Sequence, residues 1–160
     1  MPLRRTVSPH SHFRVLAASL LLLTVCHPPL HAAEPQWQEY RSAHFTVVTD
    51  AGDKKGREVV LRFEQMRAVF AELLARKKVV MPVPLTIYAL KDDKRFFQMA
   101  PLHNGQPISV PGFFLPAEDH QFIVLNMFEE EPWRAVAHDF AHLMLNYNYP
   151  PTQGWFDEGF

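Results

Sequence analysis

Fourteen prolines divide this chain of 160 residues into short segments. Proline lacks a backbone N–H and fixes its own φ angle, so it ends helices and is excluded from central strands. Pro82 and Pro84, and the pair Pro150 and Pro151, are therefore expected boundaries between elements. The sequence predicts several short and sharply bounded helices and strands.

The composition is that of a globular chain, with 48% hydrophobic residues, 21% charged residues, and 16 basic against 17 acidic side chains. These values exclude a disordered polar tail, a collagen-like repeat and a disulfide-rich miniprotein. The balanced charge excludes a strongly basic nucleic-acid binder, so no nucleic-acid partner is expected. Cys26 is the only cysteine and cannot form an intramolecular disulfide.

Residues 1–33 have the features of a secretory signal peptide. Arg4, Arg5 and Arg14 precede an apolar run at 15–25, which is the order of an export signal. The run is shorter than the roughly 20 residues of a membrane-spanning helix, so no stable membrane span is expected after cleavage.

Small residues end this segment, and we expect cleavage near Ala32 or Ala33. Residues 34–160 would then form the folded domain, in a secreted or periplasmic location. Two alternatives stay open: an uncleaved N-terminal anchor, and a lipoprotein attached at Cys26, although Val25 stands where a lipobox normally has a small residue.

Hydrophobic periodicity predicts one α+β domain. Apolar residues recur at steps of three and four from about 57 to 78, which is typical of an amphipathic helix, after a turn marked by Gly52 and Gly56. The predicted elements in chain order are a strand at 45–48, this helix, a strand at 85–90, a short helix at 93–99, a loop at 103–111, a hairpin of strands at 112–115 and 122–126, a helix at about 132–146, and a further helix starting near Trp155.

The chemistry is concentrated in the last 25 residues. His138 and His142 lie four residues apart, so on a helix they project about 40° from each other and can bind one ion. Asp139 lies about 100° from His138. Four apolar residues fall on the opposite side and can pack on a sheet: Val136, Phe140, Leu143 and Met144.

Two histidines at this spacing also occur as an ordinary helix pair, with one ring partly buried and hydrogen-bonded. The acidic residue after the first histidine, Asp139, and the later Glu158 favour a metal site instead. Zinc binds imidazole nitrogen and carboxylate oxygen, and a catalytic site leaves its fourth position to water. His44, His103 and His120 are isolated and are expected at the surface or in loops.

The sequence HDFAH at 138–142, a turn containing prolines, and WFDEGF at 155–160 together resemble the gluzincin-type zinc metallopeptidases, and most closely the bacterial secreted peptidase MA-like domains. The similarity extends weakly upstream to Trp37, Ser42, His44 and Phe45, a long helix, and a Gly-Phe-Phe strand. The resemblance implies a zincin-like fold, in which a small mixed sheet packs on a long helix and on the motif helix.

The resemblance also implies the site. His138, His142 and Glu158 would be the Zn²⁺ ligands, Asp139 would occupy the position of the general base, and the substrate would be a peptide or protein. The apolar residues at 113–114 and 122–125 are expected to be core and sheet residues by their hydrophobic pattern. The functional alternative is that one of these strands pairs with an extended peptide, as β-augmentation allows.

The sequence departs from the family pattern at two places. Asp139 replaces the family's glutamate and is one methylene shorter, which affects a group whose position decides proton transfer. The chain ends at Phe160, two residues after Glu158, so we expect a domain that is incomplete at its C-terminus.

Three hypotheses follow. The first is a secreted zinc peptidase that uses metal-activated water. The second is a metal-binding relative with weak or no activity because of Asp139. The third is a metal-free envelope domain that binds partners through exposed edges. The sequence indicates neither an oligomeric state nor a substrate specificity.

Overall fold

The computed structural model describes residues 34–74, 78–149 and 158. Five strands in this part of the chain form a mixed sheet with the spatial order β1-β2-β3-β7-β6. Their bounds are β1 Gln38–Arg41, β2 Thr46–Thr49, β3 Leu85–Leu90, β6 Gly112–Leu115 and β7 Gln121–Asn126; β4 Leu102–His103 and β5 Gln106–Pro107 form a separate small hairpin.

The three central strands of the sheet, β2, β3 and β7, are parallel, and the edge strands β1 and β6 run antiparallel to their neighbours. Three helices complete the described fold: α1 Asp53–Leu73, α2 Asp93–Met99 and α3 Trp133–Asn148. The described residues from Pro35 onward belong to one compact unit. The structure is therefore a mixed α+β fold, as the sequence predicts.

The helices α1 and α3 pack on one face of the sheet. Alternate strand residues such as Val47, Ile87 and Ile123 are fully buried on this face. The rings of Phe63 and Phe140, one from each helix, lie 5.7 Å apart in an edge-to-face contact, an arrangement that adds to the free energy of apolar burial. This packing fixes the position of α3 on the sheet.

The opposite face is covered by α2. The side chain of Phe96 is fully buried there against Leu90, Phe113 and Val124. Successive residues of a strand point to opposite faces, so the strand β7 contributes Ile123 to one core and Val124 to the other.

A buried ion pair closes the carboxyl end of the parallel strands. The side chain of Asp50, which follows β2, is fully inaccessible and accepts hydrogen bonds from the Arg95 guanidinium of α2 and from the Lys91 backbone N–H at 2.8 Å. Both carboxylate oxygens are therefore paired within the chain, as a buried charge requires.

The structure confirms the strand at 85–90, the short helix at 93–99 and the hairpin of β6 and β7. It adds the strand β1, and it places the hairpin β4–β5 inside the predicted loop at 103–111. Asn104 and Gly105 at its tip both have positive φ angles, which matches the Asn-Gly preference of tight hairpins.

The predicted bounds of the long helix are wrong. The helix α1 begins at Asp53 and ends at Leu73 instead of spanning 57–78, and Gly56 lies within it rather than in a turn. A Cβ at Gly56 would clash with the Tyr40 ring, so this glycine allows β1 to approach the helix. The apolar pattern also misleads at Leu73, which is 63% exposed.

Some predictions concern residues outside the described part of the chain. These are the signal peptide at 1–33 and the further helix starting near Trp155. Within the described residues, none of the helices combines the length and the apolar character that crossing a membrane requires.

Candidate metal centre

The helix α3 carries the two histidines on its outer side. It begins after Pro132, whose φ of −61° suits the start of a helix, and the backbone turns extended at Tyr149. The residues predicted for the core side are all buried: Val136, Phe140, Leu143 and Met144. The amphipathic assignment of this helix is therefore confirmed, and its histidines face away from the sheet.

Polar contacts that the sequence does not predict anchor the C-terminal end of α3. The Asn148 side-chain amide donates to the Met144 and Val80 carbonyls and accepts the Val80 N–H at 2.8 Å. The Tyr149 hydroxyl donates to the Leu74 carbonyl. The bonds to Val80 and Leu74 join residues far apart in sequence, and no local pattern indicates them. They fix the helix that holds the histidines.

The imidazoles of His138 and His142 meet directly. Their Nε2 atoms lie 2.8 Å apart, and their ring centroids lie 4.3 Å apart with the ring planes nearly perpendicular. At that distance one nitrogen donates and the other accepts. The side chain of His138 is 60% exposed and that of His142 is 22% exposed, so the pair opens to solvent on one side.

Glu158 approaches both rings from a later segment of the chain. Its Oε2 lies 3.8 Å from His138 Nε2 and 3.9 Å from His142 Nε2. Both distances exceed those of hydrogen bonds, so the carboxylate faces the imidazoles across a gap. Among the described residues, this is the group of three or more potential ligands that could hold one metal ion.

The size of the gap suits a small divalent cation. A point equidistant from the three atoms lies about 2.1 Å from each, and zinc binds histidine nitrogen at about 2.0–2.1 Å and carboxylate oxygen at about 2.0–2.2 Å. The three predicted ligands therefore lie within reach of one ion, and a tetrahedral zinc would require the two Nε2 atoms to move apart from their present 2.8 Å. Zinc binding itself stays a prediction.

Asp139 lies on the exposed surface of α3. None of the described residues forms a hydrogen bond or an ion pair with its side chain. On the helix it falls between the histidine pair and Val136, whose side chain packs against Gly112 of β6. Asp139 thus lies on the side of the histidines that faces the edge strand.

The edge strand β6 offers free backbone groups next to α3. The Asn126 N–H donates to the Pro111 carbonyl, and with the register of the two strands this places the paired groups of β6 at Phe113 and Leu115. The N–H and C=O groups of Gly112 and Phe114 therefore point away from β7. No described residue pairs with them.

The other histidines lie away from this centre. His44 Nδ1 contacts the Glu64 carboxylate of α1 at 2.8 Å, and His120 Nε2 contacts the Thr86 hydroxyl at 2.8 Å. His103 is exposed in β4. The expectation of surface or loop positions is confirmed for all three, since His44 and His103 are exposed and His120 lies in the loop before β7, although His44 and His120 have side-chain partners.

Comparison with known proteins identified no relative. No family model matches the chain, and neither a curated protein nor a solved structure matches it.

Proposed function

We propose that this protein is an exported zinc-dependent peptidase of the gluzincin type, which hydrolyses peptide bonds in peptide or protein substrates. The observation that carries the proposal is the convergence of His138 Nε2, His142 Nε2 and Glu158 Oε2 around one point at zinc-ligand distance. The combination of a mixed sheet, the long α1 and the motif-bearing α3 supports a zincin-like arrangement.

Three protein ligands fit a catalytic rather than a closed structural zinc site, because they leave a fourth position open. Zinc bound there would supply a Lewis acid that polarises a carbonyl and lowers the pKa of water. The chain's own contribution is geometric. The helix α3 holds two imidazoles one turn apart, and Glu158 adds one negative charge from a separate segment.

Asp139 is the residue of α3 that suits proton transfer in this scheme. Its carboxylate would accept a proton at Oδ on the side of the histidines that faces β6, and later return it to the leaving amine. The exposed position of Asp139 leaves that side open to a substrate.

The strand β6 supports a peptide as the substrate. The outward N–H and C=O groups of Phe114 can pair with an extended peptide as an added strand. A peptide placed there would run beside α3, where Val136 packs on Gly112, and would pass Asp139 and the histidines. The backbone pairing would give affinity without dictating sequence.

Metal analysis of the purified protein tests the proposal. We expect about one zinc per chain, and we expect His142→Ala to lose both the metal and the hydrolysis of a casein-type substrate. The matched control is His103→Ala, which removes an exposed histidine outside the centre and should retain both. Absence of zinc, or retention of zinc by His142→Ala, would overturn the proposal.

The short side chain of Asp139 supports a second candidate, a metal-binding protein with weak or no peptidase activity. Aspartate reaches one methylene less far than glutamate, and displacement of a catalytic group by about 1 Å can cost about a hundredfold in rate. In that case zinc binds stoichiometrically while peptide hydrolysis stays low. A strongly active natural protein would exclude this candidate.

A further inference from the structure

A second potential binding site lies between α1 and α3, in a groove of about 280 Å³. Apolar side chains of both helices form most of its walls: Met66, Val69, Phe70, Trp133 and Ala137. Two polar residues, Arg62 and Gln65, complete the lining. An apolar pocket with a few converging polar groups is the usual form of a small-ligand site.

Arg62 is the polar group with unused hydrogen-bonding capacity. Its guanidinium stacks on Trp133, with Cζ 5.5 Å from the ring centroid, and one terminal nitrogen donates to Gln65 Oε1 at 3.3 Å. Its Nε is buried and has no hydrogen-bond partner, and no described carboxylate forms an ion pair with it. Because this Nε is inaccessible, the terminal nitrogens are the Arg62 groups that a ligand can reach.

The charge and the donors define the chemistry of the occupant. The positively charged Arg62 guanidinium, whose terminal N–H groups donate, is complementary to a carboxylate, which binds guanidinium through charge-assisted hydrogen bonds. The Gln65 carbonyl oxygen already accepts from Arg62, so its NH₂ group remains available to donate. An amide carbonyl next to the carboxylate would accept from that group.

The size of the groove restricts the occupant further. Its 280 Å³ is just below the ~300–1,000 Å³ of sites for drug-sized ligands. This space suits one apolar side chain with its end group. The walls around it include the aromatic rings of Phe70 and Trp133, against which such a side chain can stack.

We infer that this groove binds the carboxy-terminal residue of a peptide, with an apolar side chain against Phe70 and Trp133 and the free carboxylate on Arg62. The adjacent peptide carbonyl accepts from Gln65. The groove reaches α3 at Ala137, next to His138, but the inference concerns binding alone and stands whether or not zinc binds.

Calorimetric titration of the purified protein with three small probes tests this inference. The probes are N-acetylphenylalanine, its amide, and octanoate. We expect the acid to bind about tenfold or more tightly than the amide, as expected for a charge-assisted hydrogen bond. Octanoate should bind more weakly than N-acetylphenylalanine because it lacks the amide carbonyl.

Two variants locate the binding. Arg62→Gln should reduce the preference for the acid to less than about twofold. Val69→Glu adds a negative charge to the wall of the groove and should weaken the acid about tenfold more than the amide. Val69 is 54% exposed, so this substitution should not prevent folding. Arg134→Gln, at an exposed arginine paired with Glu131, should change neither affinity.

Three results would overturn the inference. Equal binding of acid and amide would show that no carboxylate is recognised. Tighter binding of octanoate would identify a fatty acid as the occupant. Unchanged acid binding in Arg62→Gln would place the carboxylate elsewhere, including on a metal ion.

Discussion

Two clusters of ionisable side chains in this molecule have opposite surroundings. The Asp50 carboxylate is inaccessible to solvent and is paired with the Arg95 guanidinium and the Lys91 N–H. Glu158, by contrast, is 72% exposed and lies 3.8 Å from His138 Nε2, beyond hydrogen-bond distance. The first cluster is paired inside the chain, whereas the Glu158 carboxylate of the second is largely open to solvent.

The largest expected effect is on the free energy of unfolding when a substitution disrupts the exposed cluster. With zinc at a thousandfold excess over its dissociation constant, binding should add about 4 kcal/mol to the free energy of unfolding, and Glu158→Ala should abolish that gain. Chemical unfolding with zinc and with chelator measures it. Glu129→Ala removes another exposed acidic residue and should keep the gain. If Glu158→Ala still responds to zinc, this carboxylate is not a ligand.

The second prediction breaks the buried cluster. Asp50→Ala leaves the Arg95 guanidinium and the Lys91 N–H without their acceptor, which should lower the free energy of unfolding by about 3 kcal/mol. Urea unfolding in the presence of chelator measures this loss. The control is Asp53→Ala. The ion pair of Asp53 with Arg57 is solvent-exposed, so this variant should leave the midpoint of urea unfolding nearly unchanged. An equal loss of stability in both variants would contradict the contrast between the buried and the exposed carboxylate.

The third prediction concerns Asp139 beside the exposed cluster. Asp139→Glu should raise kcat/KM for a peptide substrate by up to about a hundredfold, because the longer side chain restores the reach of the base. The zinc content should not change, since this residue is not a proposed ligand. Asp139→Asn should remove the remaining activity. A fall in activity for Asp139→Glu would mean that aspartate is already in the better position.

The smallest expected effect concerns the ion pair of His44 and Glu64. Their side chains are 36% and 27% exposed, which lies between the buried Asp50 and the exposed Glu158. Partial burial raises the pKa of Glu64, but hydrogen bonds from Ser42 and His44 together lower the pKa below its ordinary value. Because the pKa of Glu64 is lower in the folded state, its ionised carboxylate stabilises the fold at pH values above the ordinary pKa. This stabilisation is lost as the pH falls through the folded-state pKa.

Glu64→Gln should therefore lower the free energy of unfolding by less than about 1 kcal/mol at pH 7. The difference from the natural protein should shrink as the pH falls below the ordinary pKa of glutamate, and should vanish once the carboxylate is protonated in the folded state. Urea unfolding of both proteins across this pH range measures the effect. A difference that does not change with pH across this range would mean that Glu64 acts through packing rather than charge.

Local patterns predicted the elements that have strong local boundaries. The strand β3 follows Pro84, and α2 begins at an Asp92 side chain that accepts from the Arg95 N–H, so the predicted and observed bounds agree. The start of α1 could not be predicted in the same way. Gly56 is a helix breaker in isolation, and only the packing of Tyr40 against it explains its place in a helix.

The candidate sites show the same limit. Helical spacing is sufficient to bring His138 and His142 together. The role of Glu158 as the third ligand was predicted from the family resemblance. The contact of Arg62 with Trp133, by contrast, joins two helices distant in sequence. The partners of Asp50 are likewise 41 and 45 residues away. No periodicity reports such pairs, because they arise only when the sheet brings the helices together.

The open edge at β6 has a consequence for self-association. The opposite edge, β1, carries the ion-paired Glu39 and Arg41, and such charges discourage strand-to-strand pairing between molecules. The sequence Gly-Phe-Phe-Leu of β6 has no charge to do so. We therefore expect edge-to-edge association of two copies to increase with concentration, in competition with any peptide that binds the same edge.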